Sequence, residues 1–99
     1  MKVVIKQSNK KGKKFMATFT QRSLKDQKLK DKIIHFGSAG MSDFTKHKDP
    51  LRKERYLKRH KKRENWQDPL TAGALSRWIL WNKPTLSASI KDYKSRFNL

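Results

Sequence analysis

Eight cationic side chains, Arg52, Lys53, Arg55, Lys58, Arg59, Lys61, Lys62 and Arg63, crowd into residues 52–63, and a second group, Lys10, Lys11, Lys13 and Lys14, lies near the N-terminus. The chemistry such groups perform is charge neutralisation. On a nucleic acid, Arg and Lys contact backbone phosphates while Tyr56, His60 or Trp66 stack on bases. On a protein, the same cations meet an acidic surface. The plainest alternative is a solvated charged helix, but a formal net charge of +18 on 99 residues is too large to serve solubility alone. The order of expectation is nucleic acid, then an acidic protein face, then simple solvation. Non-specific contact is expected ahead of sequence readout: no zinc-finger, bZIP or RRM signature is present, and only the pair 50–63 and 69–82 could take helix-turn-helix geometry.

Other chemistry finds little support. His35, His47 and His60 form no i,i+4 or HxH ligand set, no cysteine or carboxylate cluster joins them, and no metal site or cofactor is expected. His47-Lys48-Asp49 has the outline of a kinase catalytic loop without the glycine-rich loop, the DFG or the length of a kinase. Gly37-Ser38-Ala39-Gly40 lacks both Walker and GxGxxG spacing, so a plain connection is expected there. No Ser-His-Asp arrangement or carboxylate pair rises above chance, and an enzyme is the least expected class. Trp66, Trp78 and Trp81, with Tyr56, are either core or a partner-contact face. Core is favoured, because so small a domain needs their area.

These residues must be positioned by one domain spanning 1–99, since the chain has room for only one small core. Charge is uneven: residues 1–63 carry 21 basic and 5 acidic side chains, against 5 and 3 in residues 64–99. Hydrophobic content of 34%, equal to the charged content, sits near the boundary of disorder, while ten aromatics argue for fixed packing. A modest core with mobile basic segments is expected. The absence of cysteine excludes disulfide and thiol chemistry and fits intracellular synthesis. The longest apolar run, Trp78–Trp81, is far short of a bilayer span, and MKVVIKQSNKK has no signal-peptide core.

The expected architecture is α+β. Residues 1–37 form a basic β-hairpin and a third strand, 38–48 a loop and 49–99 a helical part. Strands are expected at about 3–7, 14–20 and 32–36. In the second, Phe15, Ala17 and Phe19 alternate with Met16, Thr18 and Thr20. Ser8–Lys13 is a turn signal in which Asn9 and Gly12 accept positive φ, and Gln21–Asp31 is a polar connection. Helices are expected at about 50–63, 69–81 and 85–97. Asp49-Pro50 and Asp68-Pro69 mark the first two starts, Glu54 and Lys58 pair at i,i+4, and Thr85 caps the third. The first helix is basic nearly all round and leaves only Leu51, Tyr56 and Leu57 to pack, so it projects or lies over an edge while the other two cover the sheet. Gly73 is a weak point whose missing side chain permits close packing. On the third helix Leu86, Ile90, Tyr93 and Phe97 form an apolar stripe.

One combination of residues carries a resemblance. His35-Phe36-Gly37, Ser42-Asp43-Phe44-Thr45, His47-Lys48-Asp49, Arg55-Tyr56 with Arg59-His60, Arg63-Glu64-Asn65-Trp66, Asp68-Pro69 with Thr71-Ala72-Gly73, and Trp78–Lys83 together form it. The set is similar to a group of small basic proteins encoded by large nucleocytoplasmic DNA viruses of the phycodnavirus and mimivirus kind. The likeness covers roughly residues 33–97 and, more loosely, the lysine-rich hairpin. It implies a viral context with no assigned activity, and transfers no site residue. The reading it completes is a non-enzymatic structural protein of a virus particle, a minor capsid or internal component, made in the host cytoplasm or nucleus. Its partners would be DNA or acidic surfaces of other virion proteins, with no membrane span and no small-molecule substrate. The alternatives are a DNA-condensing protein and, last, a sequence-reading regulator.

Overall fold

The computed structural model describes residues 1–22 and 29–99. Three strands, β1 (Lys2–Gln7), β2 (Lys13–Arg22) and β3 (Leu29–Ser38), form an antiparallel meander in the order β1-β2-β3. Val3, Phe19 and Lys32 share one cross-strand row, Ile5, Ala17 and Ile34 the next, and Gln7, Phe15 and Phe36 a third. Strand alternation then places Val3, Ala17, Phe19 and Phe36 on the buried face, with Ile5, Phe15 and Ile34 packed beside them. The opposite face is open: Val4 is 48% and Ile33 55% exposed.

The strands run longer than expected at the β2–β3 end, because paired backbone extends to Arg22 and resumes at Leu29. The middle of the predicted connection, residues 23–28, lies outside the described residues. In the first turn only Gly12 takes positive φ (+85°), and Asn9 does not. Gly37 does not end its strand. It sits inside β3 at φ +80°, where an added Cβ would stand 2.8 Å from Leu80 Cδ1. Only glycine combines that conformation with so close an approach.

The predicted loop 38–48 contains a short helix, α1 (Phe44–His47), capped by Asp43, whose carboxylate accepts from the Thr45 N–H at 3.0 Å. Lys48 then turns left-handed (φ 55°) and Asp49 caps α2 (Pro50–His60), accepting from the Leu51 N–H. The helix ends at His60 rather than Arg63. Glu54 and Lys58 are both exposed and form no ion pair with each other. Of the three residues expected to pack, Tyr56 is buried and Leu57 half-buried, while Leu51 is 63% exposed.

The predicted helix 69–81 begins later. Asp68 instead closes a turn by accepting from the Leu70 N–H, and Thr71 caps α3 (Ala72–Leu75) through the Ala74 N–H. The chain continues as a π-helical segment, Ser76–Leu80, closed by the Trp81 N–H donating to Ser76 O. The i→i+5 bonding of such a turn brings residues five apart closer to one face than an α-helix does. Leu75, Ile79 and Leu80 therefore all reach the core over the sheet. The last helix, α4 (Leu86–Arg96), follows the Thr85 cap as expected. It buries Tyr93, packs Leu86, Ile90 and Phe97 against the core, and anchors the Tyr93 hydroxyl on Pro69 O at 2.7 Å.

Candidate functional site

A cleft of about 540 Å³ opens between the hairpin end of the sheet, α2 and the start of α3. Lys13 and Lys14 belong to the sheet side, and Arg52, Arg55, Arg59 and His60 to α2; Tyr56, Trp81, Ser76 and Gly73 also line it. Spacings of three and four residues put Arg52, Arg55 and Arg59 along one face of α2, over about 10 Å of axis. All three are exposed, and no carboxylate among the described residues pairs with them. The carboxylates that do line the cleft, Asp43 and Glu64, are engaged elsewhere.

Asp43 is almost wholly buried and meets Lys14 Nζ at 2.5 Å, with the Thr45 hydroxyl and N–H as further donors. Burial by itself would raise its carboxyl. The Lys14 ammonium and the Thr45 donors outweigh burial and hold it below the ordinary carboxylate range. This pair ties β2 to α1 and so sets the mouth of the cleft. Glu64 accepts from the Trp66 indole N–H at 2.9 Å and bonds His60 Nδ1 at 3.2 Å. Its side chain lies so close to Gly73 that an added Cβ would stand 2.9 Å from Glu64 Cδ. The missing side chain expected to permit close packing does so for a carboxylate.

Tyr56 holds α2 in place. Its ring stacks on Trp81 at 4.2 Å and 5°, and on His60 at 4.1 Å and 22°. Two rings stacked at that distance on one ring must occupy opposite faces. Tyr56 thus has no free face for a base.

The sequence-predicted cations divide into three groups. Lys13, Arg52, Arg55 and Arg59 face the cleft with no carboxylate partner among the described residues, while Lys10, Lys11, Lys58, Lys61, Lys62 and Arg63 are exposed outside it. Lys14 and Lys53 are consumed internally. Lys53 donates to Asn82 O at 2.7 Å and lies over the Phe44 ring, satisfying a carbonyl at the end of the α3 segment as Arg77 does at Trp81 O. Burial, then the nearby Arg77 and Lys83 charges, pulls the Lys53 ammonium below the ordinary lysine range. The tryptophans are half-buried and bonded or stacked within the protein. Trp78 donates to Trp66 O at 2.7 Å, and Arg77 and Arg96 lie over its ring at 4.2 and 3.8 Å.

His35 bonds Ser8, His47 accepts from the Asp49 N–H and His60 meets Glu64, three separate places. Among the described residues no group of three or more His, Asp or Glu is placed to hold a metal ion. Nor is any helix among them long and apolar enough to cross a membrane. Sequence reasoning missed Asp43 and Glu64. The available signal was scarcity: with 8 acids against 26 bases, an acid beside apolar residues is a candidate to neutralise a buried cation.

Fold and site together define a small α+β protein carrying a basic, aromatic-walled cleft. Residues 3–60 match a family of unknown function, DUF5754, and the chain belongs to that family. The matched stretch runs from β1 to the last residue of α2 and so includes both cationic walls. No curated protein and no solved structure matches the chain.

Proposed function

We propose that this is a non-enzymatic, nucleic-acid-binding structural protein of a large DNA virus particle, a minor capsid or internal component that grips phosphates in the cleft. One observation carries the reading: Arg52, Arg55 and Arg59 line one face of a helix, exposed and unpaired among the described residues, across from Lys13. A row of about 10 Å covers about three phosphates of a strand rising ~3.4 Å each. The viral setting rests on the residue combination noted above. Contact is to the backbone and not to a base sequence. A helix-turn-helix needs a turn of about three or four residues, whereas residues 61–71 separate α2 from α3 and the second element is short and π-wound.

The test is a salt titration with random-sequence DNA beside a polyglutamate control, using wild type and the triple variant Arg52→Gln, Arg55→Gln, Arg59→Gln. Wild type should show a steep fall of log affinity with log salt. The triple variant should lose about 2–3 units of that slope, at ~0.7–0.9 per phosphate, with its fold intact. An unchanged slope would remove the cleft arginines from the binding surface. Equal affinity for polyglutamate would move the partner to acidic virion proteins.

A further inference from the structure

The aromatic column beside the arginine row has one free end. Trp81 and Tyr56 are stacked face to face, and His60 covers the outer face of Tyr56. The His60 ring is fixed in its plane by Glu64 at Nδ1, yet its side chain stays 38% exposed and lines the cleft. Its inner face lies on Tyr56 and its Nδ1 meets Glu64, and among the described residues no other ring stacks on its outer face. Arg59 adjoins it in sequence, and Arg55 lies about one turn earlier along the same wall. A flat, oriented, open ring next to guanidinium groups is the arrangement by which proteins hold a base and its phosphates together.

We infer that the cleft binds single-stranded nucleic acid, with one base stacked on the outer face of His60 and the flanking phosphates on Arg52, Arg55 and Arg59. This rests on the nucleic-acid reading above and narrows it. A cleft of about 540 Å³ is of the size that encloses small ligands. A duplex keeps its base faces stacked inside, so its phosphates reach the rim but it offers no base face to stack on His60. A single strand offers both. DNA and RNA strands share this chemistry, and the choice between them is one arm of the test.

The test measures fluorescence anisotropy with four labelled probes of equal length: oligothymidylate, oligouridylate, a phosphodiester strand of abasic spacers, and a duplex. Oligothymidylate, oligouridylate or both should bind roughly tenfold more tightly than the abasic strand, the scale of one stacked base. His60→Ala should erase that difference without weakening the abasic strand, and His60→Phe should restore it. Equal affinity for abasic and base-bearing strands would overturn the inference, whatever becomes of the variants. So would an equal loss on every probe in His60→Ala. In both cases binding that still depends on the arginines leaves the phosphate-binding reading standing. No binding of any probe would overturn both.

Discussion

Replacing Asp43 by Asn keeps the shape of the residue and removes the charge facing Lys14. The Lys14 ammonium sits 2.5 Å from Asp43 Oδ2, and the two side chains are 8% and 2% exposed. The variant therefore leaves a cation enclosed without its counter-charge, a change that costs about 3–5 kcal/mol. A domain of this length has about 5–15 kcal/mol in all. At about 4–8 °C per kcal/mol, Tm should fall by some 12–40 °C, read by circular dichroism or by tryptophan fluorescence in urea. Adding Lys14→Met removes the stranded charge and should recover most of the loss. A cost below about 1 kcal/mol, or no recovery in the double variant, would refute the argument that this pair closes the sheet onto α1. The acid limb gives a second check. The Asp43 carboxyl is held below its ordinary range, so its contribution is complete above the unfolded value, about 3.9, and is lost as pH falls through the lower folded one. Asp43→Asn should flatten that part of the stability profile.

Helix propensity alone says that Gly73→Ala stabilises by about 1 kcal/mol. The structure predicts the opposite sign: the new Cβ would expel Glu64 from the Trp66 N–H and from His60, losing about 1.5–3 kcal/mol and leaving a net cost of about 1. Chemical denaturation decides the sign, and a gain in stability would mean that Glu64 is not held there. Lys53→Gln should bind DNA within about twofold of wild type, because its ammonium already serves Asn82 O, while stability drops by about 1 kcal/mol. A binding loss as large as that of Arg55→Gln would show that Lys53 reaches the partner.

Much of the architecture was legible along the chain because it depends on neighbours a few residues apart. The Phe15, Ala17, Phe19 alternation needs only the period of a strand, and the Thr85 cap with the Leu86–Phe97 stripe needs only the period of a helix. Asp49-Pro50 set the start of α2 by the same local rule. Where local signals misled, a longer-range demand had intervened. Asp68-Pro69 closed a turn instead of a helix, since the helix that follows had to begin at Thr71 and widen to seat Leu75, Ile79 and Leu80 together on the sheet. The short helix after Asp43 carried a capping residue but too few apolar positions to display a period.

The sequence by itself determined that the molecule would be a small, strongly basic α+β domain whose excess charge is concentrated before residue 64. Composition and periodicity suffice for that, because net charge and amphipathic faces are sums over the chain. Which cations remain available was decided only by the tertiary structure. Lys14 and Lys53 look in sequence like Lys13 and Arg52, but each finds a partner 29 residues away, one a carboxylate and the other a helix-end carbonyl. Tyr56, promising as a platform for a base, is covered on both faces, while His60 stacks on one ring only among the described residues and stays partly exposed. Burying a charge or a ring requires a partner brought from a distant part of the chain, and its identity is set by how the sheet, α2 and the α3 segment close on one another.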